Sequence, residues 1–443
     1  PSEPEPLAAA GALVEELSGG ALRAAEAPGT AGLGLVAARG ASAGDVLARA
    51  PAGRCLSAES ARASPSVGPH VAGLEPWVQL ALLLCVERAK GPGSEHAALL
   101  AALPSALDLP VFWSEGELAE LQGSQLLGQV QGYRSYVEGV WAQLEACGTP
   151  QKLGAGGLEL EGFLWAFGVL RSRAPPCCAG DAVLVAPGLD LTNHSSVAPA
   201  AEWRAEAAGG GVLGLGGGGG GVSLVALRDV AEGEAVCVDY GAASDTALAL
   251  DYGFVDPLRP RGRFSLGLGV PEERFRDDKL DVCDLAGLGE TPSFTLAAGE
   301  QPPPELQTFF RLLNLSGPDA FLLESVFRDS CWELISEPVS RGNEEACCAT
   351  AIGGCQGALQ QYPRGVADDE AALRAGGLGP RAETAVRARL GEMRALLSTL
   401  EFYEQRQAGL DLLEYYQERR LKSLNLMEED GSSTYDPFSE TIA

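Results

Sequence analysis

Residues 182–195, AVLVAPGLDLTNHS, decide the interpretation of the fold. Their first half is an apolar run that predicts a β-strand, and the polar turn after it carries Asn193 and His194. The apolar runs at 222–230 and 234–241, VSLVALRDV and EAVCVDYG, predict two further strands. An Asn-His-Ser sequence can also close a strand as a plain Asx-turn, so taken alone it leaves a purely structural role open.

The chain around these strands changes from β to α character and back. From residue 29, short apolar runs punctuated by glycine, GTAGLGLVAARGASAGDVLARAP, predict a β-hairpin. Between about 72 and 172, apolar residues recur at i, i+3 and i+4, which predicts a long helical insertion. After a connecting region at 258–303, the helical period returns through 304–425. The expected fold class is therefore α+β, with a β-domain at 29–257 that the insertion splits and an all-α domain behind it.

Three segments lie outside these domains or interrupt them. Residues 1–28 are rich in Pro, Ala and Glu and predict a flexible leader, and the polar residues 426–443 predict a tail. Residues 209–221, GGGVLGLGGGGGG, have the glycines of a phosphate-binding loop but lack its preceding strand, following helix and lysine. We therefore interpret this glycine-rich loop as a flexible insertion in a hairpin.

The composition excludes several classes of protein. The chain holds 32 Lys and Arg against 60 Asp and Glu, a net charge of −28. A nucleic-acid binder needs a basic face to neutralise phosphates, so this balance argues against nucleic-acid partners. A hydrophobic content of 46% excludes global disorder, and the sequence has no run of about 18 uncharged apolar residues that would predict a membrane span. Residues 1–30 hold five Glu and one Arg, which is unlike a transit peptide.

The 11 cysteines do not predict a metal site. None forms a CxxC pair and none has a histidine at ligand spacing. Their scatter through apolar stretches indicates buried thiols in a reducing compartment. The adjacent pairs Cys177–Cys178 and Cys347–Cys348 leave a redox role open, although nothing beside them in the sequence argues for one.

Several residues with chemical potential follow one another along the chain. Arg173 ends an amphipathic helix in LRSRA, and Asn193 lies twenty residues later. Tyr240 ends the strand GEAVCVDYG, and Tyr252 follows twelve residues on in DYGF. Upstream, GLGLVA (32–37) offers a glycine-rich backbone that can approach a ligand closely. Singly, the arginine can be a helix C-cap and each tyrosine a core residue, but their common order indicates a site.

These motifs together resemble a SET-domain protein-lysine methyltransferase, in the branch where a helical insertion splits the SET β-fold. Four C-terminal segments resemble the helical substrate-binding domain of chloroplast ribulose-bisphosphate carboxylase (Rubisco) large-subunit N-methyltransferases. They are DDKLDV (277–282), PDAFLLESVFRDS (318–330), VSRGNEE (339–345) and LEYYQERRLKSL (413–424). The resemblance runs from about 29 to 425, and the sequence has no cysteine-rich post-SET zinc motif.

The resemblance implies an activity and a set of partners. The activity is methyl transfer from S-adenosylmethionine to a lysine ε-amine, which leaves S-adenosylhomocysteine. Because an unperturbed lysine has a pKa near 10.4, an apolar channel must help the amine lose its proton. The implied substrate is the Rubisco large subunit, which would be trimethylated at a lysine near its N-terminus. The implied enzyme is a monomer in the chloroplast stroma that does not associate with a membrane. Fructose-bisphosphate aldolase, another stromal protein, or an inactive cofactor-binding docking module are the alternatives.

The resemblance also implies roles for individual residues. It makes Tyr240 the catalytic residue. The cofactor-binding residues that it implies are Ala31, Gly32, Leu33, Arg173, Asn193, His194 and Tyr252. The substrate-binding residues that it implies are Arg173, Asp190, Trp203 and Tyr240. The sequence departs from the family at Ala31, where a glutamate is common, and at Cys177, where relatives carry a basic residue. Trp203 is the nearest candidate for an aromatic residue that lines the substrate channel.

Overall fold

The computed structural model describes residues 5–26, 33–154, 158–178, 183–206 and 221–426. Its packing divides the chain into two units. Unit 1 comprises the described residues within Pro1–Glu120, Leu126–Pro260 and Gly379–Thr384. Unit 2 comprises those within Leu121–Gln125, Arg261–Leu378 and Ala385–Ala443.

The described residues form runs of consecutive strands and runs of consecutive helices, and none of the described helices is both long and apolar enough to cross a membrane. The strands are β1 (Leu22–Glu26), β2 (Leu33–Ala37), β3 (Val46–Ala50), β4 (Leu56–Ser57), β5 (Leu184–Val185), β6 (Asn193–His194), β7 (Ala201–Ala205), β8 (Val222–Ala226), β9 (Ala235–Val238), β10 (Arg263–Gly267) and β11 (Ser293–Ala297). The helices are α1 (Glu5–Ser18), α2 (Ala58–Ala63), α3 (Pro76–Lys90), α4 (Ala97–Ala102), α5 (Glu115–Leu118), α6 (Gln125–Ala146), α7 (Thr149–Lys152), α8 (Leu160–Arg173), α9 (Asp245–Tyr252), α10 (Arg276–Leu285), α11 (Pro304–Leu313), α12 (Cys331–Leu334), α13 (Arg341–Leu359), α14 (Val366–Ala375), α15 (Pro380–Ala408) and α16 (Tyr416–Ser423).

A four-stranded sheet of order β1-β2-β9-β6 organises the β part of unit 1. Strands β1, β2 and β9 are antiparallel neighbours, whereas β6 runs parallel to β9, with His194 opposite Val238. A three-stranded sheet, β3-β8-β7, contributes to the same apolar core. Because parallel strands end at the same edge of a sheet, the residues that follow β6 and β9 come out side by side.

The hairpin predicted from residue 29 is wrong in its strand partners. Strand β2 pairs with β1 and β9, whereas β3 pairs with β8 in the other sheet. The connection between β2 and β3 is held by a bridge between Ala41 and Val230. An apolar pattern identifies which residues form a strand, but it carries little information about which strand lies beside it.

The strands on either side of the glycine-rich stretch agree with its interpretation as a hairpin insertion. Strands β7 and β8 pair antiparallel over their full length, with Ala201 opposite Ala226 and Ala205 opposite Val222. The backbone N–H of Glu206 also donates to the Gly221 carbonyl at 2.8 Å. Residues 207–220 themselves lie outside the described part of the chain.

The segment interpreted as a flexible leader contains α1 and β1. Ala10 and Val14, one turn apart on α1, are fully buried in the β core, and Leu17 packs against the same core. Strand β1 forms the edge of the four-stranded sheet. The apolar stripe of α1 is short and lies among alanines and glutamates, so the leader's composition conceals its amphipathic face.

The helical insertion delivers Arg173 to the β-domain. Helix α3 is buried continuously from Val78 to Glu87 and packs against α8, whose Phe163 is fully buried in the same helical core. Helix α8 ends at Arg173 because Ala174 precedes two prolines and takes an extended conformation, with φ −75° and ψ 131°. The insertion therefore has a fixed end at the residue that the sequence assigns to the cofactor.

Unit 2 begins earlier than the all-α domain expected from residue 304. The connecting region forms β10, α10 and β11, and Phe294 and Leu296 of β11 are buried in the core of unit 2. That core also contains ion pairs: Arg311 and Arg406 both donate to the buried Glu344, at 2.5 and 2.6 Å. These residues explain part of the VSRGNEE motif, because Glu344 stabilises two cations within the helical domain.

Gly253 at the end of α9 gives a first testable prediction. Its φ of +81° is left-handed, and a Cβ added there would overlap the carbonyl oxygen of Asp108. We expect Gly253→Ala to lower the free energy of unfolding by about 3 kcal/mol, because strain and overlap add. Gly233→Ala is the matched control, since Gly233 has φ +83° with nothing within 4 Å. Urea unfolding of both variants measures the difference, and equal losses would contradict the overlap.

Candidate active site

Tyr240 lies immediately beyond β9, beside the end of β6, and is held at both ends. Its backbone N–H donates to His194 Nδ1 at 3.1 Å, and its hydroxyl donates to the Thr192 carbonyl oxygen at 2.8 Å. Its ring stacks on the Tyr252 ring, with centroids 4.2 Å apart and planes 29° apart. Burial raises the pKa of the Tyr240 hydroxyl above its ordinary value of 10.0, although the Arg173 charge opposes the rise. The hydroxyl is therefore a neutral group whose oxygen lone pairs remain available as acceptors.

Helix α9 builds the aromatic wall beside Tyr240. Ser244 caps its first turn by accepting from the Ala247 N–H at 3.1 Å, and Gly253 ends it. Tyr252 and Phe254 therefore flank the helix end, and the Phe254 ring lies 6.5 Å from the Tyr240 ring. Burial raises the pKa of Tyr252 to about 12.

The helix that carries Tyr252 is anchored by an ion pair. Arg171 on α8 donates to both carboxylate oxygens of Asp251, at 2.8 and 2.5 Å. Tyr133 on α6 donates to the same carboxylate at 3.2 Å, and the Arg171 guanidinium lies over its ring, 5.3 Å from the centroid. A bidentate pair of this kind fixes orientation as well as distance, so the helical insertion positions the Tyr252 ring.

Arg173 and Asp190 form the polar side of the site. The Arg173 Nη1 donates to the Asp190 backbone carbonyl at 3.2 Å. The Asp190 side chain is buried, and neither of its oxygens accepts a hydrogen bond of normal geometry from the described residues. Burial raises the pKa of this carboxyl, while the Arg173 charge and the N–H groups of Gly188 and Asp190 oppose the rise. A buried acceptor of this kind fits a donor from a bound molecule.

Asn193 and His194 connect the site to the strands around it. The Asn193 side-chain amide donates to the Leu33 carbonyl at 3.4 Å, which links β6 to the start of β2. Because His194 Nδ1 accepts from the Tyr240 N–H, the proton of the neutral ring lies on Nε2, which faces Asp256 Oδ2 at 3.6 Å. Histidine 194 is thus a scaffold residue that couples the position of Tyr240 to the loop after α9.

Asp256 is held in its ionised form. Burial would raise the pKa of its carboxyl, but hydrogen bonds from the Ser196 hydroxyl and the Leu258 N–H lower it below the ordinary value. The ionised carboxylate is then a suitable partner for the His194 Nε2–H.

The structure brings most of the residues singled out in the sequence to one place. Tyr240, Tyr252, Arg173, Asp190, Asn193, His194 and Leu33 belong to the connected set just described. Trp203 lies on β7 and lines a neighbouring cavity with Asp239 and Cys177. Ala31 and Gly32 lie outside the described residues. The roles assigned to these residues stay predictions.

Sequence reasoning missed four parts of the site. The Thr192 carbonyl oxygen accepts a hydrogen bond from the Tyr240 hydroxyl. Asp239 and Asp256 flank the His194 ring, and Phe254 adds an aromatic ring beside Tyr240. Phe254 was within reach, because it belongs to the quoted DYGF motif. Asp256 had no signal, since its role depends on a contact 62 residues from its partner along the chain.

The described part of the chain shows no cluster of side chains with the composition of a metal site. Among the residues that the structure describes, no three His, Cys, Asp or Glu side chains are grouped so that they could hold a metal ion. The cysteines of the described chain are all thiols, and Cys347 and Cys348 are both buried in unit 2. The side chains that the described site offers for chemistry are therefore aromatic rings, one arginine and one buried carboxylate.

Comparison with known proteins identifies relatives of this chain. A family model described as the Rubisco LSMT substrate-binding domain matches residues 270–396. A chloroplastic [fructose-bisphosphate aldolase]-lysine N-methyltransferase of Arabidopsis thaliana is 39% identical over 407 residues, which cover 90% of this chain and 83% of the relative. A chloroplastic Rubisco large-subunit N-methyltransferase of Pisum sativum is 38% identical over 406 residues, which cover 91% and 82%.

Solved structures agree with the sequence relatives. The crystal structure of the SET domain of LSMT bound to lysine and AdoHcy superposes with a TM-score of 0.85 at 35% identity, over 97% of this chain and 98% of that one. The structure of Rubisco LSMT bound to AdoMet gives a TM-score of 0.83 at 35% identity, over 96% and 98%. The chain therefore belongs to the SET-domain protein-lysine N-methyltransferases of the Rubisco large-subunit methyltransferase family, as its motifs predicted.

Proposed function

We propose that this enzyme transfers methyl groups from S-adenosylmethionine to a lysine of a chloroplast stromal protein. The Rubisco large subunit is the first candidate substrate, near its N-terminus and to the trimethyl state, and fructose-bisphosphate aldolase is the second. The observation that carries the proposal is the partly buried Tyr240, whose hydroxyl donates a hydrogen bond to the Thr192 carbonyl oxygen and whose ring stacks on that of Tyr252. The aldolase alternative rests on the 39% identity to the [fructose-bisphosphate aldolase]-lysine N-methyltransferase of Arabidopsis thaliana.

The residues present fit the cofactor. S-adenosylmethionine is an amino acid with a cationic sulfonium, and when bound it supplies a methyl group that is open to nucleophilic attack. Arg173 has one backbone carbonyl as its hydrogen-bond acceptor in the described residues, so its remaining N–H groups suit a carboxylate. The stacked tyrosine rings offer π faces to a cation. The backbones of Leu33 and Asn193 would hold the remaining polar atoms, and the Asn193 side-chain amide already links the two segments by donating to the Leu33 carbonyl at 3.4 Å.

The chain's own residues then prepare the lysine amine. With its proton directed at Thr192, the Tyr240 oxygen can accept an N–H of the amine and orient the nitrogen lone pair. The dipole of the same hydroxyl has a fixed orientation. It lies near the positive charge that passes from the sulfonium to the amine nitrogen during transfer. Tyr252 and Phe254 exclude water, which disfavours the ammonium form and helps the amine lose its proton. Asp190 offers two buried acceptor oxygens to donors of the incoming chain.

The raised pKa of Tyr240 predicts the shape of the pH profile. The kcat/KM rises with pH while the target lysine loses its proton, by about tenfold per unit below that lysine's pKa. Because burial raises the Tyr240 pKa above 10.0, the neutral hydroxyl persists through that pH and the profile does not turn down there. Initial rates between pH 7 and 10.5, with circular dichroism as a control for folding, measure this. A downturn centred at pH 10 would contradict the assignment of a buried tyrosine.

Labelling experiments test the function and the substrate together. The chain is incubated with methyl-labelled S-adenosylmethionine and, separately, hypomethylated Rubisco, hypomethylated aldolase and a whole stromal extract. Mass spectrometry then identifies the lysine and counts its methyl groups. Label on the large subunit supports the first candidate, and label on aldolase alone replaces it with the second. Cofactor binding without label in any arm would favour the inactive docking module.

A further inference from the structure

We infer that a cavity beside Tyr240 binds a cationic side chain of the substrate protein close to the target lysine along the chain. This inference rests on the proposed function and adds a sequence preference to it. The cavity has a volume of about 240 Å³, and we call it the flank cavity; its walls include Pro176, Cys177, Pro199, Glu202, Trp203 and Asp239. It lies entirely within unit 1.

The flank cavity shares two chain segments with the active site. Asp239 directly precedes Tyr240, and its carboxylate lies 3.9 Å from His194 Nδ1. The second shared segment contains Cys177, which lines the cavity. It lies four residues after Arg173, in the one-turn helix Pro176–Cys178. A polypeptide that brings a lysine to the Tyr240 hydroxyl therefore passes these two segments, and its neighbouring side chains meet the cavity.

The walls of the cavity suit a flat or extended cation. The Trp203 side chain is partly buried against the β core and contributes an indole to the lining. Tryptophan is the aromatic side chain that binds cations best, and proline edges add rigid apolar surface for the methylene part of an arginine or lysine. Cys177 is exposed and contributes a small polarisable side chain without a charge.

The charge of the cavity is one-sided. Among the described residues, its lining includes two carboxylates, Glu202 and Asp239, and no lysine, arginine or histidine. Glu202 pairs with Arg204 at 2.6 Å, but both side chains are about half exposed, so this pair is weak and can be exchanged. Asp239 Oδ1 accepts from the Gly241 N–H at 2.9 Å, which keeps the carboxylate at the cavity. An incoming cation would therefore replace water with a carboxylate and an indole face.

Peptide series test this inference separately from the methyl transfer itself. Peptides that contain the target lysine, identified by the labelling above, are made with each flanking position changed in turn to Arg, Ala or Glu. We expect kcat/KM to be at least tenfold higher for Arg than for Glu at one flanking position, with Ala between them. If every peptide is methylated at the same rate, the inference fails while the proposed function stands. If none accepts label, and the parent protein does not either, the proposed function fails.

Variants of the enzyme locate the preference in the cavity. Cys177→Arg places a positive charge on its wall, so we expect a roughly tenfold loss of kcat/KM for the Arg-flanked peptide with no loss for the Glu-flanked one. Cys147→Arg is the matched control, because Cys147 is also exposed and does not line the cavity. Equal effects of Cys177→Arg and Cys147→Arg on both peptides would overturn the inference.

Discussion

Replacing Tyr240 with phenylalanine lowers kcat for lysine methylation by about 10²–10³-fold. The substitution removes the hydroxyl oxygen that we propose accepts from the amine but keeps the ring that stacks on Tyr252 at 4.2 Å. The backbone bond from the Tyr240 N–H to His194 is also kept, so the strand ends stay in place. We therefore expect the Kd of S-adenosylmethionine to stay within about threefold.

Tyr252→Phe is the matched control for this experiment. It also removes one hydroxyl from the stacked pair, but that hydroxyl makes no hydrogen bond to Thr192, and the ring itself forms the wall. We expect a change of a few fold in kcat. Single-turnover label transfer measures both variants, and calorimetry measures cofactor binding. Similar losses in the two variants, or full activity in Tyr240→Phe, would remove Tyr240 from its catalytic role.

Replacing Glu344 with alanine lowers the free energy of unfolding by about 3–5 kcal/mol. The Glu344 side chain is 1% exposed and accepts from Arg311, which is 4% exposed, and from Arg406. Without the carboxylate, the Arg311 guanidinium stays buried with only the carbonyls of Ile335 and Ser336 as partners. An unpaired buried cation is far more destabilising than the loss of the same pair at a surface.

The neighbouring glutamate provides the comparison. Glu345→Ala removes a carboxylate that is 51% exposed and pairs with Arg341, itself 53% exposed, so we expect a loss below about 1 kcal/mol. Urea unfolding followed by circular dichroism compares the two variants. A Glu344→Ala loss as small as that of Glu345→Ala would show that the buried network is not a major source of stability in unit 2.

Several of the residues that the sequence singles out lie where secondary-structure elements end. Arg173 precedes a pair of prolines that stops its helix, His194 is the last residue of β6, and Tyr240 follows the parallel strand β9. Ends of this kind are marked by proline, glycine and polar turn residues, which the sequence shows directly. The order of these motifs along the chain identifies the family from the sequence, and the 39% identity to a chloroplastic lysine N-methyltransferase agrees with it.

The parts that escaped prediction depend on distant partners or on backbone atoms. Nothing in the alternation of β2 reveals that its neighbour is β9 and not β3, because both are short apolar strands. The Thr192 carbonyl that accepts the hydrogen bond from the Tyr240 hydroxyl is a backbone group, which any residue could supply. The buried face of α1 rests on Ala10 and Val14, whose small side chains give a weak periodic signal.

The pairing of β2 with β9 has a consequence for how the protein is made. Leu35 lies opposite Val236, so this contact closes a loop of about 200 residues that includes the helical insertion. Such distant contacts form late, because the entropy of closure is lost before the contact stabilises the chain. During translation, β2 leaves the ribosome long before β9 exists, and one edge of it stays unpaired. The nascent chain thus exposes an unpaired strand edge, which is prone to association with other chains, until β9 and Tyr240 have been synthesised. Completion of the catalytic site and protection of that edge are the same event.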